Sequence, residues 1–345
     1  MSHPANGGLN HEMSSEQREL LLDLQPGPLI PSGSSLTGLD LFAGIGGLSA
    51  GFADIGFSMT GVDSEPVAGE VYRRAGFGDA RTHDLRSELF EANVAVIVGG
   101  PPCKPWSPVN LQKRRSAHED HGLLTRFVEN VCAIRPAIFI MENVPALSSD
   151  EVYRCGVEQL RDYGYDIAAR VLHYDQFGAA TKRRRLFTVG VRELRGGAHI
   201  FFRLLREHHA PSRTVRDAIV RFRDAPRGSY PDHDWSELQT IGKYRGRYES
   251  GQYGWTRLDY DSAAPSFGSV AKTYILHPEA GIGGYAERVL SVREVMAIMG
   301  FADSVCFPER TSRARRYQMV ANAVSPIASR AIAVVVKRLL VGSSA

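Results

Sequence analysis

Residues 36–55 read LTGLDLFAGIGGLSAGFADI, and this stretch decides the fold. It begins with Leu36–Phe42, a short apolar run that predicts a buried strand, and it ends with Leu48–Ile55, which has the spacing of a helix. A cluster of glycines separates the two. Glycine lets the backbone turn tightly and lets a ligand approach the main-chain N–H groups at a helix start. The stretch therefore predicts the first strand, turn and helix of an α/β domain, with a ligand site at the turn.

Segments with strand and helix character continue to alternate along the chain. The further predicted strands are Ser58–Val62, Val94–Val98, Ala137–Met141 and Leu186–Val191. The further predicted helices are a stretch that ends at Arg74, Leu123–Ile134, Val289–Met299 and Ile327–Leu340. Strands that alternate with helices predict βαβ units and therefore a mainly parallel sheet.

The chain divides into regions of different composition. Residues 1–35 are polar and rich in Ser, Gly and Pro, which predicts a flexible tail, although Glu16–Leu24 has the pattern of a short helix. Residues 36–191 carry the alternating segments. In residues 192–287 the periodicity weakens and Tyr, Arg, Gly, His and Trp become frequent, which predicts a smaller, loop-rich domain. Residues 288–345 form a C-terminal segment with two predicted helices.

Composition limits the classes of function. The chain has 345 residues and a formal net charge of +3, which permits a nucleic-acid partner without requiring one. Its four cysteines are not spaced as C-x-x-C, so we expect neither a metal site of the zinc type nor a redox dithiol. There is no secretory signal and no apolar run long enough to span a bilayer, which predicts a cytoplasmic protein without a membrane anchor.

Cys103 is the candidate nucleophile. It follows Val98–Pro102, a strand end continued by two glycines and two prolines, and this is the sheet edge at which α/β proteins bind ligands. Proline restricts the backbone, so the loop can hold the thiol in one place. Most free cysteines are inert core residues, and that interpretation suits Cys132, Cys155 and Cys306 better than Cys103.

A carboxylate and a basic run accompany two further strands. Glu142 follows a predicted strand directly, so we expect it at the same sheet edge as Cys103, where a carboxyl group has a raised pKa and can act as an acid. A surface carboxylate that caps a helix is the alternative. The run Lys182–Arg185 leads into the next strand, so Arg183 and Arg185 share one face, and such a run is typical of a solvated or a phosphate-binding surface.

An acidic residue, Asp63, follows the second predicted strand at the position where ribose hydroxyls are held in related folds. The glycines alone indicate no more than a structural turn. Because Gly44, Gly46 and Gly47 crowd together, they do not match G-x-G-x-x-G, and a nicotinamide oxidoreductase is disfavoured. The turn together with Asp63 favours a cofactor of the nucleoside type.

The ordered set of motifs resembles the DNA (cytosine-5)-methyltransferases over about Leu36 to Leu340. The matching segments are Asp40–Gly47, Pro101–Cys103, Glu142–Val144, Arg183-x-Arg185, Ser291–Glu294 and Ala321–Val324. The resemblance implies a Rossmann-like fold that uses S-adenosyl-L-methionine, a target-recognition domain at 192–287 and a C-terminal segment that returns to the catalytic domain. It also implies a monomer acting on a cytosine flipped out of double-stranded DNA, with a restriction endonuclease as a conceivable companion.

The resemblance assigns roles to individual residues. The catalytic set is Cys103, which adds to C6, Glu142, which holds N3 and the exocyclic amine, and Arg183 and Arg185, which hold the base and the backbone. The cofactor set is Phe42, Ala43, Gly44, Ile45, Gly46, Gly47, Asp63, Ser64, Asp84, Leu85, Gly100, Pro101, Asn322 and Val324. The departures from the family pattern are Lys104 in place of Gln, Ala180–Thr181 in place of Pro-Gln, and Ala321 in place of Gly.

Two alternatives remain open at this stage. The same core acts on RNA in one branch of the family, or it can take a modified S-adenosylmethionine that carries a larger group. A catalytically silent DNA-binding paralogue belongs to another class, and retention of Cys103, Glu142, Arg183 and Arg185 argues against it.

Overall fold

A seven-stranded mixed sheet lies at the centre of the protein, in a computed structural model that describes residues 27–102, 122–235, 256–266 and 275–342, with positions 246, 250 and 268. Its strands are β1 (Thr37–Leu41), β2 (Ser58–Asp63), β3 (Gly78–Thr82), β4 (Val96–Gly99), β5 (Ile138–Asn143), β6 (Tyr165–His173) and β7 (Arg184–Arg192). Their order is β3-β2-β1-β4-β5-β7-β6. β7 runs antiparallel to both β5 and β6, and the other neighbouring strands of this sheet are parallel, which confirms the predicted α/β class and mainly parallel sheet.

Helices cover both faces of the sheet. Those described are α1 (Gly47–Asp54), α2 (Pro66–Arg74), α3 (Leu123–Ile134), α4 (Glu151–Asp162), α5 (Gly197–Arg206), α6 (Val215–Ile219), α7 (Val292–Met299), α8 (Arg313–Asn322) and α9 (Pro326–Val341). One apolar cluster joins the sheet to α1, α5 and α9, and a second joins it to α3 and α4. A short parallel pair, β8 (Thr256–Arg257) and β9 (Ile275–Leu276), lies apart from the main sheet.

Alternation along the central strands explains which side chains reach the site. In β1, Leu39 and Leu41 pack on the side of α3 and α4, so Asp40 points to the opposite face. In β5, Ile138 and Ile140 pack on that opposite face, and Glu142 continues the same row at the carboxyl end of the strand.

The C-terminal helix α9 packs against α1 at small residues. A Cβ atom added at Gly51 would lie 2.2 Å from the main-chain nitrogen of Arg330, so only glycine fits here. The Ser329 hydroxyl donates to the carbonyl of Leu48. The stretch Arg313–Val341 is apolar enough by composition to cross a membrane, but 56% of its most apolar window is buried inside the protein, as a core helix is.

Several elements are absent from the sequence prediction. Strands β3 and β6 and helix α4 were not expected, and α5 lies inside the span expected to be loop-rich. The loop-rich expectation is wrong over Gly197–Arg206, because this helix buries Ile200, Phe201, Leu204 and Leu205 against β6 and β7. The predicted helix at Val289–Met299 begins only at Val292, where Ser291 caps it. The helix predicted at Glu16–Leu24 lies outside the described residues.

Candidate active site

The turn between β1 and α1 has an unusual backbone. Gly44 and Gly46 have φ angles of 52° and 80°, which glycine adopts readily. Phe42 has a φ of 62°, and a bulky residue in this left-handed region costs roughly 1–3 kcal/mol. The Ala43 N–H donates to the carbonyl of Val62 and so ties the turn to the end of β2. Strain held in place by such contacts is typical of a ligand site.

Asp63 holds this turn directly. Its Oδ2 accepts a hydrogen bond from the Gly44 N–H at 2.8 Å, and its Oδ1 accepts one from the Glu65 N–H at 2.9 Å. Burial raises the pKa of the Asp63 carboxyl, while the Gly44 N–H and the charge of Arg315 oppose the rise. The residue expected to hold ribose therefore also fixes the shape of the glycine turn.

The remaining cofactor-site predictions fall on three other segments. Asp84 follows β3, is half-exposed and forms an ion pair with Arg86 at 2.9 Å, which holds the pKa of the Asp84 carboxyl low. The Leu85 side chain is buried in the core, so only its backbone is available to a ligand. A Cβ atom at Gly47 would lie 2.2 Å from the carbonyl oxygen of Val324, so the C-terminal segment closes against the turn.

Glu142 lies against the loop that follows β4. A Cβ atom at Gly100 would lie 2.9 Å from Glu142 Oε2, so the glycine makes room for the carboxylate. The Asn143 amide donates to the carbonyl of Pro101 at 2.9 Å and fastens the loop to the end of β5. Cys103 and Lys104 lie outside the described residues, but the chain that leads to Cys103 is held beside Glu142.

The environment of Glu142 raises its pKa. The side chain is buried, and loss of solvation is the largest cause, while the charges of Arg185 and Arg183 partly oppose it. Arg185 Nε lies 2.9 Å from Glu142 Oε1, although the pair is not aligned as a hydrogen bond. Burial rules out the surface carboxylate that the sequence left open, and a buried carboxyl of raised pKa can deliver a proton.

The basic run enters β7 with alternating exposure. Arg183 is 3% exposed and Arg185 is partly buried, whereas Arg184 faces solvent, so the predicted shared face is present. Arg183 Nη2 donates to the carbonyl of Ala321 at 2.5 Å. This contact joins the start of β7 to the segment that carries Asn322 and Val324, which the sequence did not indicate.

The sequence profile described as C-5 cytosine-specific DNA methylase matches residues 36–338, most of the chain. The chain belongs to this family. The methylase is 30% identical over 341 residues to the type II methyltransferase M1.HphI of Haemophilus parahaemolyticus, covering 88% of this chain and 87% of the relative. It is 26% identical to the type II methylase M.HgiDII of Herpetosiphon aurantiacus, covering 88% of this chain and 96% of that one.

Solved structures have the same fold. The Dnmt2 methyltransferase of Schizosaccharomyces pombe superposes with a TM-score of 0.65 at 17% identity, covering 88% of this chain and 99% of that one. The Entamoeba histolytica methyltransferase EhMeth gives 0.65 at 15% identity, covering 88% and 98%. At such identities these two neighbours show the fold of the methylase alone.

Sequence reasoning missed Tyr174, which lies beside Arg183 and Arg185. Its N–H donates to the Arg183 carbonyl at 3.0 Å and its side chain is fully buried. Burial, followed by the charge of Glu142, raises the pKa of its phenol, and Arg185 and Arg183 oppose this. An aromatic residue one position after β6 gives no sequence signal of its own, because only the β6–β7 pairing brings it to the site.

Proposed function

We propose that the protein transfers a methyl group from S-adenosyl-L-methionine to C5 of a cytosine flipped out of double-stranded DNA, through a covalent bond between Cys103 and C6 of the base. The observation that carries this proposal is the buried Glu142, whose pKa is raised and which packs against Gly100 at the sheet edge. Gly100 precedes Cys103 by three residues in the chain. The reaction needs an acid and a nucleophile at the same edge of the sheet.

The residues divide the chemistry as follows. The Cys103 thiolate forms the S–C6 bond, and the electron pair of the C5=C6 bond becomes available at C5. Glu142 donates its proton to N3, which neutralises the charge that would otherwise build up on the ring. After methylation a base removes the C5 proton, the C5=C6 bond re-forms, Cys103 leaves as thiolate, and N3 returns its proton to the Glu142 carboxylate. Arg185 keeps the Glu142 carboxyl in place beside the base.

The turn after β1 fits a nucleoside cofactor. No described atom lies within 4 Å of the Cβ position at Gly44, so space is open over the turn, and the N-terminus of α1 faces it. When bound, S-adenosyl-L-methionine would supply an electrophilic methyl group on its sulfonium. The predicted cofactor set would hold it, with Asp63 on the ribose and Val324 closing the pocket from the C-terminal side.

The remaining assignments belong to the same proposal. Residues 192–287 would read the DNA site, with helix α5 serving the catalytic domain rather than the DNA. Residues 288–345 would complete the cofactor pocket, and α9 returns to α1 as such a role requires. We infer a cytoplasmic monomer on DNA, and its type II relatives suggest a restriction endonuclease as companion.

The test is methylation of unmethylated genomic DNA by the purified protein with S-adenosylmethionine, mapped by bisulfite sequencing. We expect 5-methylcytosine confined to one short motif. The Cys103→Ala variant should abolish it, whereas Cys155→Ala, which changes an exposed thiol on α4, should not. Cofactor binding without DNA methylation would overturn the proposal and favour an RNA substrate, a modified cofactor or a silent paralogue.

A further inference from the structure

A chain of three buried hydroxyl and carboxyl groups lies directly behind the glycine turn. The Ser49 hydroxyl donates to Asp40 Oδ2 at 2.6 Å, and the Tyr72 hydroxyl donates to Ser49 Oγ at 2.7 Å. The side chains come from β1, α1 and α2, and their residues are 1%, 0% and 1% exposed. The sequence motif included Asp40, but the function described above uses none of the three.

The ring of Tyr72 packs against the glycine turn between β1 and α1. A Cβ atom at Gly46 would lie 2.9 Å from the Tyr72 ring, and one at Gly61 would lie 2.6 Å from it. Gly46 is the residue that precedes α1, and Gly61 lies in β2 just before Asp63. The phenol is therefore wedged between the turn and the strand that carries Asp63, with its hydroxyl directed at Ser49.

Asp40 supplies the polar acceptor that the start of α1 otherwise lacks. Gly46 cannot cap the helix with a side chain, and no described side chain does so from its place. Asp40 accepts from both the hydroxyl and the main-chain N–H of Ser49, in the first turn of α1. A carboxylate at this position stabilises the helix start through its free N–H groups and its dipole.

The charge state of Asp40 determines in which direction the hydrogen bonds between Tyr72, Ser49 and Asp40 are donated. Burial raises the pKa of the Asp40 carboxyl to about 7, the two Ser49 groups lower it, and the nearby Asp63 raises it. Tyr72 faces the same cluster, and burial, followed by the charge of Asp40, raises the pKa of its phenol, while the hydrogen bond to Ser49 opposes the rise. An ionised Asp40 can only accept, so Ser49 must donate to it and accept from Tyr72. A protonated Asp40 removes that constraint.

We propose that Asp40, Ser49 and Tyr72 are positioning residues for the cofactor, whose hydrogen-bond chain holds the glycine turn in its binding shape and makes cofactor affinity depend on pH. The inference rests on the proposed cofactor role of this turn. Affinity is highest when Asp40 is ionised, because only then are all three groups held in one arrangement. Loss of this ordered hydrogen-bond chain should cost about as much free energy as loss of a helix cap, which corresponds to a decrease of about fivefold in cofactor affinity.

The experiment is calorimetric titration of the full chain with S-adenosylhomocysteine between pH 6 and pH 8. This ligand lacks the sulfonium of the cofactor, so attraction between Asp40 and the sulfonium charge does not contribute. We expect the wild-type affinity to fall about fivefold as the pH decreases, with a midpoint near 7. The Asp40→Asn variant should lose this transition while keeping the titration of the ligand itself.

The Tyr72→Phe variant keeps the proposal testable if Asp40→Asn does not fold. It removes one hydroxyl and leaves the ring against Gly46, so it should weaken binding at pH 8 and raise KM for the cofactor more than it lowers kcat. The matched control is Tyr153→Phe, which removes an equally buried hydroxyl bonded to Thr188 at 2.8 Å on the far face of the sheet. It should leave binding and its pH dependence unchanged.

The outcomes separate this inference from the proposed function. A wild-type protein that does not bind S-adenosylhomocysteine at any pH overturns both. Binding with the same pH dependence in wild type and Asp40→Asn, or an affinity of Tyr72→Phe equal to that of Tyr153→Phe, overturns the positioning role alone and leaves the methyltransferase proposal in place.

Discussion

Replacement of Gly47 by alanine tests how the cofactor pocket closes. Gly47 is the first residue of α1, and an added Cβ would lie 2.2 Å from the carbonyl oxygen and 3.0 Å from the nitrogen of Val324. An ordinary contact is longer, so the C-terminal segment would have to move by about 1 Å. Both atoms belong to the main chain, so no side-chain rotation can relieve the overlap.

The expected magnitude follows from two opposing effects. Overpacking of a buried site costs roughly 1–3 kcal/mol, and alanine regains at most about 1 kcal/mol of helix propensity over glycine. At the first position of a helix the gain is smaller still. We therefore expect Gly47→Ala to lower the free energy of unfolding by about 2 kcal/mol. Because the displaced residue is Val324, we also expect affinity for S-adenosylhomocysteine to fall by about tenfold or more.

Urea unfolding followed by circular dichroism gives the first quantity and calorimetric titration gives the second. The control is Gly69→Ala in the middle of α2, where the nearest atom to the new Cβ, Arg73 Nη1, lies at 3.6 Å. That variant should be as stable as the wild type or slightly more stable. If Gly47→Ala matched Gly69→Ala in both measurements, the inference that the C-terminal segment closes on the glycine turn would be refuted.

Three further predictions concern charged groups. Burial raises the pKa of Asp40 from its ordinary value of 3.8 to about 7 in the native state, so the native state keeps this proton longer and stability declines between these values as pH rises. Urea unfolding should show that the free energy of unfolding of Asp40→Asn, relative to that of the wild type, increases by up to about 4 kcal/mol from pH 4 to pH 8. Arg293→Met should lower the free energy of unfolding by about 3–5 kcal/mol, because three main-chain carbonyls and Asp232 lose a buried cation. Arg330→Met on the surface should lower it by less than about 1 kcal/mol in the same assay. Arg185→Gln should raise the pKa of Glu142 further and, if Glu142 is the acid, move the basic limb of the kcat–pH profile to higher pH.

The core of the sheet could be predicted because its signals are local. β1, β4 and β5 are buried on both faces and therefore appear as apolar runs. β3 has the sequence GDART, with only Ala80 buried, and it is a strand only because β2 pairs with it along its whole length. A segment with one buried apolar residue has no hydrophobic periodicity that reports such a pairing. Helix α5 had an apolar pattern of its own and was hidden by the polar composition around it.

The candidate site shows the same division between local and long-range information. The glycine turn and Glu142 are read from short motifs at strand ends, where the fold of an α/β protein places ligands. The ion pair between Arg185 and Glu142 depends on β5 and β7 lying antiparallel, with Glu142 opposite Phe187. The contact between Arg183 and Ala321 joins residues that are 138 positions apart. Contacts of this kind follow from topology, which the sequence pattern did not specify.

These long-range contacts make one short segment common to both halves of the site. At one end of this segment the Ala321 carbonyl accepts from Arg183, and three residues later the Val324 carbonyl packs on Gly47. A shift of Val324 therefore acts on the strand that carries Arg185 as well as on the glycine turn. Alanine at 321 is compatible with this arrangement, because position 321 is helical and needs no positive φ, so the family's usual glycine is not required there. Under the proposed function, this segment would couple cofactor binding to the holding of the target base through its main chain, because it contacts both the glycine turn and Arg183.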